Sequence, residues 1–448
     1  MANFSKPNTP RFSVDVYQNE YLPEGGREVN AVVTVTATGG GTVGSAGTAS
    51  HAYSPGRGPS AAVAIMVDCS GSMDYPAVKM RNARAATAAA IDTLRDGVHF
   101  AVVAGTHVAR EVYPAGGRLA VAGPATREQA KQALRGLGAG GGTAIGTWLR
   151  LTDRLLSSAD VEIRHGILLT DGRNEHELPE ELRAALQACA GRFTCDARGV
   201  GTDWEVKEVT GIASALLGSA DIVADSSGLA ADFTRLMEKA MGKEVADVAL
   251  RLWTPAGATV RFVKQVAPTV EDVSGRRTGA GPRAGDYPTG SWGDESRDYH
   301  VCVRVPPADL GREMLAARVS LVVPRPDGSV HDLGAQGLVR AVWTDDLAAS
   351  TAINPQVAHY TGQAELAQAI RQGLDLRKTG DRDGATARLG RAVQLASASG
   401  NADTAKLLAK VVDVVDAATG TVRLKAKVEE ADEMTLETRS TKTVRVKK

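Results

Sequence analysis

The sequence predicts an α/β chain: a doubly wound, mostly parallel sheet, with an accessory antiparallel β-sandwich and a small C-terminal helical bundle. Three observations lead there. From Ala61 onward, short apolar runs alternate with amphipathic helical stretches, the pattern of buried strands joined by crossover helices. Over residues 244–345 the helical period gives way to alternating strands. After Asn354-Pro355 the chain turns helical again. Its 448 residues exceed what one ordinary core serves, so two to three domains are expected.

Residues 12–37 hold two alternating segments, Phe12-Ser-Val-Asp-Val-Tyr-Gln and Glu28-Val-Asn-Ala-Val-Val-Thr-Val-Thr-Ala. They read as half-buried strands that join the β-sandwich, because a two-strand ribbon alone is marginal. Residues 38–60, rich in Gly, Ser, Ala and Pro, read as a flexible linker. Gly39, Gly41 and Gly44 match GxGxxG there, but no helical period follows to face a pyrophosphate, so no dinucleotide site is expected.

Residues 61–243 form the α/β domain. Ala61-Ala-Val-Ala-Ile-Met-Val is a strand covered on both faces, and a helix over 76–96 sets Ala83, Thr87, Ala90, Ile91 and Leu94 on one stripe. Strands follow over 99–106 and 110–113, then helices near 127–135 and 143–157. Gly166-Ile-Leu-Leu-Thr is the next buried strand. A helix over 179–190, strands over 196–200 and 221–224, and a helix over 229–241 complete the domain.

In residues 244–345 the strands are Val248-Ala-Leu-Arg-Leu-Trp, Thr259-Val-Arg-Phe-Val, Asp298-Tyr-His-Val-Cys-Val-Arg-Val, Ala317-Arg-Val-Ser-Leu-Val-Val and Leu338-Val-Arg-Ala-Val-Trp. Residues 355–420 give helices over 364–378, 385–398 and 404–418. Residues 429–448, acidic and then basic, read as a disordered tail. Four of its threonines, Thr435, Thr438, Thr441 and Thr443, are candidates for phosphorylation and for docking to a phosphothreonine reader.

Fifty-two basic residues balance fifty-two acidic ones, which gives no pull toward nucleic acid or anionic lipid. The N-terminus carries no apolar leader, and no apolar run reaches the roughly 20 residues that span a bilayer. Cys69, Cys189, Cys195 and Cys302 have no zinc spacing and read as reduced thiols. A cytoplasmic protein is expected.

The chemistry gathers at three element ends. Asp68-Cys69-Ser70-Gly71-Ser72 leaves the first buried strand, presenting one carboxylate and two hydroxyls at alternate positions. Gly140-Gly141-Gly142-Thr143 sets a third hydroxyl at the opening of a helix. Thr170-Asp171-Gly172 puts a second carboxylate at the end of another strand. In a doubly wound sheet ligands bind at these carboxyl ends, and hard oxygen donors suit Mg²⁺. Singly, each motif also fits a helix cap or an ordinary turn. The three in order favour a metal. Asn174, Glu175, His176 and Glu177, just beyond, read as a solvated loop.

Together these residues resemble the von Willebrand factor A (VWA) family and its metal-ion-dependent adhesion site, over roughly residues 61–242. The resemblance implies that Ser70, Ser72 and Thr143 are direct or near-direct ligands of Mg²⁺ (or Mn²⁺ or Ca²⁺). Asp68 and Asp171 would bind directly or through water, and a partner protein's carboxylate would fill the remaining position. Charge counting agrees, since two carboxylates neutralise the ion without saturating it. The implied role is an intracellular bacterial adaptor or scaffold in stress response or signalling. The alternative is a metal-dependent phosphohydrolase with Asp68 as nucleophile, but Ser70 stands where a DxD motif needs a second carboxylate. No catalytic residue is expected.

Overall fold

The computed structural model describes residues 10–39, 59–325 and 327–446, so the linker expected over 38–60 falls mostly outside the described residues. The described residues divide into two compact units: 59–246 with 290–293, and the rest.

The first unit is the doubly wound sheet. Its strands run in the order Ala220–Val223, Thr194–Val200, Ile163–Thr170, Ala61–Asp68, His99–Gly105, Arg110–Tyr113. The first five are mutually parallel and the last is antiparallel. Ala61–Asp68 is central and wholly buried, which explains its unbroken apolar run. After it the chain moves to one neighbour (99–105) and later to the other (163–170), so the switch point lies at the end of this strand. The helices Val78–Thr93 and Leu229–Met241 cover one face, packing Ala83, Ala90, Ile91, Phe233 and Met237 on Val63, Ile65 and Val67. A further helix, Val206–Ala215, is not legible in the sequence. Its β-branched residues and Gly211 weaken helix propensity, and burial of Val206, Val209, Ile212 and Ala213 decides its form.

The second unit holds two large sheets. One runs Arg11–Gln18, Glu28–Thr38, Glu295–Arg304, Thr259–Ala267, Glu271–Asp272. Glu28–Thr38 pairs with the whole of Glu295–Arg304, from Glu28↔Arg304 to Ala37↔Glu295. The other sheet is built on Val245–Trp253, Ala284–Trp292, Glu313–Pro324 and Val330–Trp343, with Tyr21–Leu22 at its edge. Helices Pro355–Lys378, Arg382–Ala398 and Ala402–Val411 follow.

Two expectations for this unit need correction. The third helix stops at Val411 rather than reaching 418, and a hairpin of Val412–Asp416 and Thr421–Leu424 replaces its end. The β-branched run Val411-Val412-Asp413-Val414-Val415 suits a pleated ribbon better than a helix.

Over its described residues, 429–446, the tail is not a disordered segment either. Glu430–Arg439 is a helix that buries Met434 and Leu436, and its acids pair with lysines of other helices: Asp432 with Lys410 at 2.7 Å, Glu437 with Lys378 at 2.8 Å. Its charge pattern marks a solvated face with partners, not a coil. The candidate phosphorylation sites are tied in as well. Thr435 donates to the Ala431 carbonyl at 2.5 Å, Thr438 is buried, and Thr443 donates to the Val266 carbonyl at 2.6 Å. The Thr441 carbonyl accepts from the Val270 amide.

Arg445 then reaches Asp298 at 3.1 Å, and that buried carboxylate also accepts from Thr34 (2.7 Å) and from the Tyr360 hydroxyl. Asp298→Ala strands three donors, two of them on buried or half-buried side chains. It is expected to cost about 2–4 kcal/mol, chiefly from leaving the Tyr360 and Thr34 hydroxyls without an acceptor, or about 10 °C in Tm for a unit of this size, measured by calorimetry. A loss under about 1 kcal/mol would show that the tail and sheet do not depend on this junction.

Candidate metal centre

Asp68 ends the central strand at the switch point and is fully buried. Its Oδ1 accepts the Ser70 amide at 2.8 Å, which bends the loop so that Ser70 and Ser72 face the same side. Its Oδ2 accepts the Thr170 hydroxyl at 2.6 Å and the Asp171 amide at 3.4 Å, locking two strand ends together. Burial pushes the Asp68 carboxyl up to about 6, against the hydrogen bonds from Ser70 and Thr170, and the nearby Asp171 adds to the rise.

The oxygens in front of Asp68 lie close together. Ser70 Oγ and Ser72 Oγ are 3.0 Å apart, and Ser72 donates to Asp171 Oδ1 at 2.6 Å. Adjacent ligands on an octahedron with metal–oxygen bonds of about 2.1 Å stand about 3.0 Å apart, so this spacing suits Mg²⁺. Gly172 completes the cradle: a Cβ built there would stand 3.1 Å from Ser72 Oγ, 3.4 Å from Thr143 Oγ1 and 3.7 Å from Ser70 Oγ. The structure thus brings Ser70, Ser72, Thr143 and Asp171 around one point, with Asp68 directly behind. Among the described residues no group of three or more His, Cys, Asp or Glu side chains gathers as a metal site, so this centre rests on hydroxyls as much as on carboxylates.

The glycine loop has a mechanical reason. The Gly71 amide donates to the Gly141 carbonyl at 2.9 Å, and Gly141 sits at φ +80°, a conformation that favours glycine. A Cβ there would also stand 2.8 Å from His107 Nδ1.

Three residues expected in a solvated loop do structural duty instead. The helix Ile145–Ser157 begins at Ala144, which offers no side-chain cap. Asn174 Oδ1 therefore accepts the Ile145 amide and Glu177 Oε1 the Gly146 amide, both at 2.7 Å, while His176 Nδ1 accepts the Thr143 amide at 3.2 Å. The loop after Asp171 caps the helix after Thr143, and two of the three motifs are held in one frame. Glu175 is exposed, as expected.

Lys79 carries no signal in the sequence. Its Nζ lies 2.7 Å from Asp171 Oδ2 and 3.4 Å from Asp203 Oδ2. Burial works against its charge, but Asp171 and Asp203 outweigh that and raise its pKa above the ordinary lysine value.

A doubly wound sheet carrying a hydroxyl-and-carboxylate cradle at its switch point defines a VWA-type protein. The sequence matches the von Willebrand factor type A domain over residues 61–222 and the von Willebrand factor type A C-terminal domain over residues 394–440. Among solved structures it is similar to a von Willebrand factor type A protein from Catenulispora acidiphila, at 52% identity over 99% of each chain, with a TM-score of 0.91. The ArnB paralog VWA2 from Sulfolobus acidocaldarius shares 14% identity over 97% of this chain and 98% of its own, with a TM-score of 0.62, and shows the fold alone. No curated protein matches the chain. The chain belongs to the von Willebrand factor type A family, whose domains are commonly protein-interaction modules.

Proposed function

We propose that the chain is a metal-dependent protein-interaction module. Ser70, Ser72 and Thr143, with Asp68 and Asp171 directly or through water, hold Mg²⁺ (or Mn²⁺ or Ca²⁺), and a partner's carboxylate completes the coordination. The observation that carries this is the oxygen spacing at Ser70, Ser72 and Asp171 around the cradle opened by Gly172. When bound, the ion offers a position to an anionic oxygen. This chain's residues fix where that position lies: Asp68 ties the Ser70 loop to the Thr170 strand end, and Asn174, His176 and Glu177 hold the Thr143 helix against it.

On this reading the chain is no enzyme and acts as an adaptor or scaffold in bacterial stress response or signalling. Free, buried cysteines and balanced charge support a cytoplasmic setting without nucleic acid. Among the described residues no helix is long and apolar enough to cross a membrane. The phosphohydrolase reading lacks a nucleophile: Asp68 is fully buried and already accepts three donors. Docking through phosphorylated Thr438 would first require the last helix to open.

Calorimetric titration with Mg²⁺, Mn²⁺ and Ca²⁺ tests the centre, and capture of a partner in Mg²⁺ that EDTA reverses tests its use. Asp68→Asn keeps an acceptor for Ser70 but removes a charge. It is expected to weaken Mg²⁺ binding about ten-fold or more. Equal titrations of both proteins would sink the metal reading.

A further inference from the structure

Two carboxylates meet at this centre, and both are fully buried. A buried carboxylate needs a cation or strong donors, and breaking such a pair is costly. Asp68 has three donors of its own, whereas Asp171 turns Oδ1 to Ser72 and Oδ2 to Lys79. The Lys79 side chain is 13% exposed, so solvent screens the pair only weakly. Its other carboxylate, Asp203, is 70% exposed and more distant, a minor contributor. Helix preference does not explain the lysine. It lies in the first turn of Val78–Thr93, which has no acidic residue and no side-chain cap, and there the helix dipole disfavours a cation.

We propose that Lys79 is the resident counter-cation of the centre: it compensates Asp171 before an ion arrives, and its charge opposes the ion that follows. The role is positional and electrostatic. Lys79 holds Asp171 with Oδ1 toward the hydroxyl cradle and sets the divalent concentration at which the centre fills. Without it Asp171 would offer its full charge to the ion, and binding would be tighter.

The test uses the full chain as wild type, Lys79→Met and Lys79→Arg, each stripped with EDTA and dialysed. Thermal unfolding without metal and calorimetric titration with Mg²⁺ are then compared. Lys79→Met is expected to melt several degrees lower without metal, to bind Mg²⁺ ten-fold or more tightly, and to recover most of the lost Tm in saturating Mg²⁺. Lys79→Arg, which keeps the charge, should follow wild type in both measurements. A lysine with a merely structural role would lower Tm without tightening the metal. Met and wild-type chains with equal Mg²⁺ affinity, or equal metal-free Tm, would overturn the proposal. Its affinity arm rests on the metal reading above, and the two failures differ. If no chain binds Mg²⁺, both fall; if wild type binds it and Lys79→Met binds no tighter, only this one falls.

Discussion

Valine at Gly172 is expected to abolish Mg²⁺ binding while the chain still unfolds cooperatively. The Cβ alone would stand 3.1–3.7 Å from the hydroxyls of Ser72, Thr143 and Ser70, and the two further methyls of valine would take the space an ion needs. Backbone strain is not the cause, since Gly172 lies outside the left-handed region that favours glycine. The neighbouring hydrogen bonds, from Thr170 to Asp68 and from the Asp171 amide, run behind the cradle and can persist. Affinity should fall by at least about a hundred-fold, which corresponds to about 2.7 kcal/mol. Gly172→Ala should lie between, because a single methyl at ordinary contact distance from two of the three oxygens leaves part of the volume free. Circular dichroism melting checks the fold and calorimetry the ion. A Gly172→Val chain that titrates like wild type would place the metal elsewhere.

Where chemistry follows a strand directly, the sequence is readable. Asp68 and Asp171 each stand where an apolar run gives way to a turn, and period alone places such junctions on the carboxyl edge of a parallel sheet, while the glycine loop that opens the next helix marks Thr143. The N-terminal strands are readable for the same reason, since alternation declares a one-sided strand wherever it lies in the chain. What escapes depends on distant partners. Lys79 looks like an ordinary helix-surface lysine, and only the fold brings Asp171 to its ammonium. Asn174 and Glu177 look solvated because nothing local shows that a helix about thirty residues earlier lacks its own cap. In the tail, composition is the wrong observable. Met434 and Leu436 are too few to announce a buried face in so charged a segment, yet both are buried and Leu436 joins a core prepared by Leu374, Leu389 and Leu408. Lys378 and Lys410 answer the acids that suggest disorder.

A chain beginning at Ser60 is expected to lose the sandwich of the second unit altogether. Glu28–Thr38 is an interior strand of its sheet, flanked by Arg11–Gln18 on one side and Glu295–Arg304 on the other. Its Val29, Val32, Val33 and Val35 are essentially unexposed. At about 1.5–3 kcal/mol for each fully buried side chain, these four alone contribute about 6–12 kcal/mol. That matches the whole net stability of a typical domain, about 5–15 kcal/mol. Further losses follow. Trp343 Nε1 donates to the Gly26 carbonyl at 2.9 Å, and Tyr21–Leu22 pairs with Val342–Trp343, so the second sheet loses an anchor for a fully buried indole. Asp298 loses its Thr34 donor, and Glu295–Arg304 becomes an open edge that invites pairing with other chains. The α/β unit keeps its own melting transition, because its core of Val63, Ile65, Phe100, Ile167 and Phe233 contains none of the deleted residues. Calorimetry should therefore show one transition where the full chain shows the sum of two units, and amides of 295–304 should exchange freely with deuterium. Unchanged unfolding, or protected amides in that strand, would mean that the C-terminal strands and helices hold the sandwich without their N-terminal partners.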